Sequence, residues 1–350
     1  MVIIESLPVM IILWIFAAFI FGYMFKTRKN VDKDVWTSVD ETALGVLVIV
    51  FTILYPFIVL RFGNGYPGRI LSELTSELLI IGNLLIVGVT VILIIWAISA
   101  KLRFKKNQNY RGYSSYEDWC KLFLEKYPTR SPLNRKVTHM LPIIVVYGLY
   151  IIVFLFQGLL GPYWESYAMI IIICIGLDFA IFFMLGDTAR LYDFSWVPPN
   201  AAKLYMGAMT EHEIKTYTST AAMVFGFAPF LFFNFEIFAI PLVITSLADA
   251  FAYIIGSTYG VPKGHFFPKS SKKTFEGYLA GIVFAFISVL IGSMFTDWSW
   301  EIRLNVGVVM AITFFLIDFL NHKIQDNYLN PLLCGLVLII YLTIINVPIS

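Results

Sequence analysis

Residues 246–281 read SLADAFAYIIGSTYGVPKGHFFPKSSKKTFEGYLAG. An apolar run carrying a single acid, Asp249, continues to Gly256. A basic loop follows, with Lys263, Lys269, Lys272 and Lys273, and Thr274-Phe275-Glu276-Gly277 then open a second apolar run. The order is acid, glycine-containing turn, lysines, second acid. It suits a metal-bound polyphosphate at a membrane surface: carboxylates hold Mg²⁺ through oxygen, while lysines and the free N–H groups of a helix start take phosphates.

The composition extends that reading to the whole chain. It is 59% hydrophobic and 14% charged, against roughly 25% charged for soluble domains, and its mean hydropathy is +0.79. These values describe a multi-spanning membrane protein. Cys120, Cys174 and Cys334 are widely spaced, which supports neither a disulfide framework nor a zinc site. The four histidines are scattered, without the i, i+4 pairing of a metalloprotease helix. Leu7–Tyr23 is long enough to stay in the membrane and no A-x-A-like site follows it, so no cleavable signal is expected.

A crossing helix needs ~20 apolar residues, and by that measure the fold expected is an all-α, polytopic helix bundle with about ten transmembrane helices. The spans fall near Leu7–Tyr23, Thr42–Leu60, Leu78–Ala100, Met140–Leu160, Tyr167–Gly186, Thr218–Phe233, Ile237–Gly256, Tyr278–Phe295, Val306–Leu320 and Leu332–Val347. The sixth and ninth are short. With the Lys26–Glu41 loop in the cytosol and strict alternation after it, all but Arg61, Arg69 and Arg303 of the 25 lysines and arginines become cytosolic. Both termini are then outside and every polar cluster faces the cytosol; a prokaryotic plasma membrane is the expected location.

Three segments are expected: an N-terminal membrane extension over 1–100, a basic cytosolic loop over 101–137, and a seven-helix catalytic part over 138–350. Within the loop, Ser114 and Glu117 have capping-box spacing, and Tyr116, Trp119, Cys120, Phe123 and Tyr127 recur on one helical face. An amphipathic helix on the inner leaflet is expected there, although a basic loop that merely sets orientation would look similar. No internal repeat or low-complexity tract is evident.

An acid at mid-span costs ~2.5–3.5 kcal/mol on insertion scales, so such residues face a cavity or a partner. Thr245, Asp249, Ala252, Tyr253 and Gly256 share a helical face small and polar enough to line a pocket. The lysines before Thr274 are either ordinary cytosolic charge or a phosphate site at a helix start, and Glu276 doubles as an ordinary first-turn acid. Asp318, His322, Asp326 and Asn327 follow the ninth span, and Asn330-Pro331 reads as an N-cap followed by proline at the first helical position. Asn134-Arg135-Lys136 with His139, Asp187 with Arg190, and Glu211-His212-Glu213 are further polar punctuation near span ends. Asp178, deep in the fifth span, has no assigned role.

Taken together, these residues resemble the CTP-dependent polyprenol kinases, the dolichol kinase and phytol kinase family. The resemblance runs roughly from Asn134 to Val347. It is carried by Asp249 and the glycine turn followed by Lys272-Lys273-Thr274-x-Glu276-Gly277, and by Arg135-Lys136-x-x-His139. Asp187-x-x-Arg190-Leu191, the Glu211–Glu213 patch and Asp326-Asn327-x-x-Asn330-Pro331-Leu332 follow in the family's order. Asp318 stands where those kinases more often carry Glu, and Ala248 where a glycine often precedes the central Asp. The same central stretch is also similar to phosphatidate cytidylyltransferases, whose closing signature of Lys-Arg, Lys-Asp, His-Gly-Gly and Asp-Arg-x-Asp has no counterpart after Gly281.

The resemblance implies a membrane lipid kinase moving the γ-phosphoryl of CTP onto a polyprenol hydroxyl. Asp249, Glu276 and Asp326 would be its Mg²⁺ ligands, one aspartate alternatively accepting the alcohol proton. Lys263, Lys269, Lys272, Lys273, Thr274, Gly256 and Gly277 would surround the phosphates. Asn327 would read the base or brace the metal site, and Arg135, Lys136, His139 and Arg190 would close the site. CTP, a prenyl alcohol and membrane lipids are the expected partners, and nucleic acid is not. The alternatives are a lipid cytidylyltransferase and, outside enzymes, a transporter, although transporters often show two related halves and none is visible here.

Overall fold

Inside a bilayer every backbone N–H and C=O must find a partner within the protein, so long apolar runs become helices. The computed structural model describes residues 2–28, 35–63, 71–107, 115–126, 140–260, 273–320 and 325–349. All regular elements among them are helical. They are α1 Leu7–Thr27, α2 Val35–Gly63, α3 Leu71–Lys106, α4 Tyr116–Lys126, α5 Leu141–Leu155, α6 Trp164–Tyr192 and α7 Pro199–Ala208. Then come α8 Ser219–Phe227, α9 Phe235–Gly260, α10 Phe275–Gly292, α11 Trp300–Phe319 and α12 Asp326–Ile344. Eight of the described helices (α1, α2, α3, α6, α9, α10, α11 and α12) are long and apolar enough to cross a membrane, and two shorter apolar ones, α5 and α8, stand where the fourth and sixth spans were expected. The protein is an all-α, polytopic membrane protein.

The differences from the ten-span reading have local causes. The fourth run breaks at Phe156, and a short helix Gln157–Leu160 then leads to Gly161, whose φ of +64° suits glycine, and to a 3₁₀ turn Gly161–Tyr163 that contains Pro162. The sixth ends in a 3₁₀ turn at Ala228–Phe232 that contains Pro229. The ninth, expected to be short, is a full helix of 20 residues, because Ser299 caps it at Ile302 N and the polar opening Glu301–Asn305 is helical too. Arg303 stays compatible with that first turn by folding back onto the carbonyls of Thr296 and Trp298, at 2.8 and 3.1 Å.

Two packed units emerge, Met1–Ser131 with Leu149–Phe225, and Pro132–Gly148 with Gly226–Ser350. This is a different partition from the three-part functional one, whose 138–350 part spans both. In the first unit α1 lies on α2, and α6 packs on α1, α2 and α3. The amphipathic helix exists as α4, but its expected placement needs correcting. Trp119 and Phe123 are fully buried, stacked on one another, and Trp119 and Tyr116 pack on Phe194. Protein, not lipid, covers its apolar face. The cap also differs: Asp118 N donates to Ser115 Oγ at 3.0 Å, while Ser114 lies outside the described residues.

In the second unit α10 is central, packed between α9 and α11, and α12 lies on α9 and α11. Phe251 of α9 and Phe284 of α10 stack with ring centroids 3.8 Å apart. α9 is irregular in a telling way. Pro241 removes one helical N–H, and wider π turns occupy Ile244–Ala248 and Gly256–Gly260, so Asp249 sits on a short α segment between two π turns. Such turns inside helices concentrate at functional sites.

Candidate active site

The start of α10 positions the site. Thr274 has extended backbone angles, and its Oγ1 accepts the Gly277 N–H at 3.2 Å, an ordinary N-cap. Thr274 is buried because α9 comes unusually close to it. A Cβ at Gly256 would lie 2.9 Å from Thr274 Oγ1 and 3.2 Å from Gly277 Cα, and one at Gly260 would overlap the Thr274 side chain. A Cβ at Gly277 would sit 3.0 Å from the carbonyl of Ala252. Gly256-x-x-x-Gly260 and Gly277-x-x-x-Gly281 are two small-residue pairs that let the backbones of α9 and α10 meet. That spacing was present in the sequence but went unread.

Lys273, one residue before the cap, is turned onto α11. Its Nζ donates to the Asp318 carbonyl at 3.0 Å and forms an ion pair with the Asp318 carboxylate. Burial pulls the ammonium pKa down, but Asp318 together with Asp326 outweighs that and holds it above the ordinary lysine value. Asp249 and Asp326 are within electrostatic range of Asp318 in turn. Three carboxylates and one lysine, from α9, α11, α12 and the α10 entry, therefore share one end of this unit. Asp318, to which the sequence had assigned no role, is the residue that ties Lys273 in place.

Of the other expected residues, Glu276 is half-buried in the first turn of α10, and Asn327 is buried in the first turn of α12. Asn330 and Pro331 need correcting: α12 begins at Asp326, so Asn330 is not an N-cap and Pro331 lies inside the helix. Lacking an N–H, Pro331 cannot donate to the carbonyl of Asn327 four residues back. Arg135, Lys136, His139, Lys263, Lys269, Lys272 and His322 lie outside the described residues.

Arg190 belongs to the first unit and does not fit the expectation of a phosphate ligand there. It is 2% exposed. Its Nε and Nη2 donate to Asp187 Oδ1 at 3.2 and 2.7 Å, Nη2 also to Thr216 O at 2.5 Å, and Nη1 to Tyr116 Oη and Ile214 O at 2.6 and 2.7 Å. Asp187 Oδ2 accepts from Thr218 N and Oγ1 at 2.8 and 2.9 Å. Glu213 takes Thr210 N and Ser219 N at 2.6 and 2.7 Å, closing a capping box. Burial raises the Tyr116 phenol above its ordinary pKa against the opposing pull of Arg190; it stays neutral and donates to Ile214 O. This network clasps the Thr210–Thr218 turn to α6.

Among the described residues no three His, Cys, Asp or Glu side chains form a group able to hold a metal ion. Mg²⁺ ordinarily takes only one or two carboxylates, with phosphates and water completing its shell. Asp249 and Asp326 beside a lysine-led helix start fit a cation that arrives on a nucleotide's phosphates.

A family model described as "Cytidylyltransferase family" matches residues 68–325. The match takes in Asp249, the α9–α10 glycine seam, Lys273, Glu276 and Asp318, and stops one residue before Asp326. Curated proteins and solved structures give no match.

Proposed function

The chain belongs to the cytidylyltransferase family, and from that premise we propose that it is a membrane kinase. It transfers the γ-phosphoryl of CTP to the hydroxyl of a polyprenol or related isoprenoid alcohol. The observation that carries this reading is the gathering of Lys273, Asp249, Asp318 and Asp326 at the entry of α10. The earlier resemblance to polyprenol kinases, and the lack of the cytidylyltransferase closing signature, support phosphoryl over cytidylyl transfer.

Catalysis here is positioning and charge neutralisation. Lys273 and the start of α10 hold the phosphate tail, joined by Lys263, Lys269 and Lys272, with Gly256 and Gly277 admitting the close backbone approach. Asp318 orients the Lys273 ammonium. Asp249, Glu276 and Asp326 would hold Mg²⁺, which when bound would offset charge on the phosphates. The lipid oxygen forms a bond to the γ-phosphorus as its proton passes to one of the aspartates. The bond from that phosphorus to the β–γ bridging oxygen breaks, and CDP leaves. The site opens to the cytosolic face, where CTP is.

The family description favours a second reading, cytidylyl transfer, in which a lipid phosphate attacks the α-phosphorus and pyrophosphate leaves. Products separate the two. Purified protein in detergent with CTP, Mg²⁺ and a prenyl alcohol is expected to yield CDP and a prenyl phosphate. Pyrophosphate with a CDP-lipid from a prenyl phosphate would refute the kinase reading.

A further inference from the structure

Near the carboxylates lies a set of polar groups that the proposed chemistry does not use. Helical Ser and Thr hydroxyls in this protein habitually bond back to the carbonyl four residues earlier, as do Thr52, Thr90, Ser288, Ser293 and Thr313, at 2.6 to 2.8 Å. Thr245 and Ser246 do not. Both lie in the π turn Ile244–Ala248, 3% and 0% exposed, and neither hydroxyl has a hydrogen-bond partner among the described residues. Asn330 is the same case on α12, 3% exposed with Oδ1 unpartnered, and its capping role is gone because the helix starts at Asp326. A buried polar atom left unmatched costs ~1–3 kcal/mol, so three together call for an explanation.

Their placement supplies one. Thr245 precedes Asp249 by four residues, and Asn330 follows Asp326 by four. Each lies one turn, ~6 Å, from the acid it accompanies, on the side away from the α10 entry, which the Gly256–Gly260 end of α9 and the Asp326 end of α12 approach. The α12 helix packs against the Ile244–Ala248 turn. Neutral donors and acceptors thus lie one helical turn from the carboxylates, on the side away from the α10 entry. No Lys or Arg occurs in Ile244–Ala248 or Asp326–Cys334. A phosphate monoester, with ~−1.5 to −2 charge, meets three carboxylates nearby and no basic residue on these two segments. A lipid hydroxyl needs only what these groups offer, one acceptor for its proton and donors for its oxygen.

We propose that Thr245, Ser246 and Asn330 bind the acceptor hydroxyl, which makes the acceptor a neutral lipid alcohol. Asn330 Oδ1 accepts its O–H, and the Thr245 and Ser246 hydroxyls donate to its oxygen. This rests on the reading of the protein as a CTP-using lipid enzyme, and its test separates the two. The full chain in detergent is assayed with CTP and Mg²⁺ on geranylgeraniol and on geranylgeranyl monophosphate, as wild type, Thr245→Val/Ser246→Ala and Asn330→Leu. Thermal unfolding is recorded with and without geranylgeraniol.

In the variants, KM for geranylgeraniol is expected to rise about tenfold, the worth of one to two hydrogen bonds. KM for CTP stays unchanged. The variants' own melting temperature holds or rises, since unmatched buried polar groups are removed, and the stabilisation that geranylgeraniol gives the wild type is lost. An unchanged KM and thermal shift for geranylgeraniol overturns the proposal. So does a lower melting temperature with both KM values displaced together, which indicates groups bridged by a buried water. A wild type that accepts only the monophosphate overturns the neutral acceptor while leaving CTP-dependent lipid chemistry intact. A wild type that turns over neither lipid refutes the functional reading, and the geranylgeraniol thermal shift then still decides whether this subsite binds an alcohol.

Discussion

Replacing Arg190 by methionine removes a guanidinium whose five N–H groups are all engaged and whose side chain, like that of Asp187, is completely buried. The Asp187 carboxylate would keep only the two donors of Thr218, the carbonyls of Glu213 and Thr216 would lose the guanidinium, and Ile214 O would keep only the Tyr116 hydroxyl. Breaking a buried ion pair by removing one partner costs ~3–5 kcal/mol. At a few degrees per kcal/mol, the melting temperature should fall on the order of 10 °C. The carboxylate is left charged without a counter-ion, so Asp187→Asn on the same background should recover part of the loss, and the double variant should be less damaged than the sum of the singles. Scanning fluorimetry of the four proteins in one detergent measures this. Well below its own unfolding range, at low temperature, Arg190→Met should still bind CTP. A normal melting temperature combined with lost CTP binding would show that Arg190 is a phosphate ligand after all, and the clasp argument would be wrong.

The nucleotide side makes its own commitments. Lys273→Met should raise the KM for CTP at least tenfold, since a charge-assisted contact to phosphate is worth ~1.5–3 kcal/mol, and Asp318→Asn should do the same less severely by releasing the ammonium; equal KM values in all three proteins would count against both roles. The folded-state pKa of Lys273 is raised above its ordinary 10.5. Its contribution to stability is therefore fully present below about that pH and lost as pH rises through the higher folded value. The melting difference between wild type and Lys273→Met should accordingly stay flat across the neutral range and shrink only in strong alkali; shrinkage near neutrality contradicts the assignment. Gly260→Leu should drive a side chain into Thr274, costing ~1–3 kcal/mol and spreading the α9–α10 seam, so kcat should fall more than for Gly88→Leu, whose Cβ meets nothing within 4 Å. Chelating divalent cations should abolish turnover, and Mg²⁺ should restore it; undiminished turnover in excess chelator removes the metal from the scheme.

Hydropathy and charge placement were enough to give the all-helical, membrane-spanning character. A bilayer imposes helix on any run of sufficient length, and that constraint is local to each run. The Asp249, Lys273 and Thr274–Gly277 cluster was legible for a related reason, since acids within spans and a capped helix start after lysines are read from neighbours in sequence. Tertiary packing decided what separated residues do to one another. Arg190 and Lys273 are both basic residues next to polar partners, yet one is sealed into a loop clasp through contacts reaching back from residue 190 to residue 116 and on to residue 216, while the other meets Asp318 across α10 and α11. Pro331 looked like a helix start and lies in a helix interior, and the buried hydroxyls of Thr245 and Ser246 lack the acceptor that helical hydroxyls usually find one turn back. Hydrogen-bond satisfaction is a property of three-dimensional neighbours, and one-dimensional spacing carries no record of it.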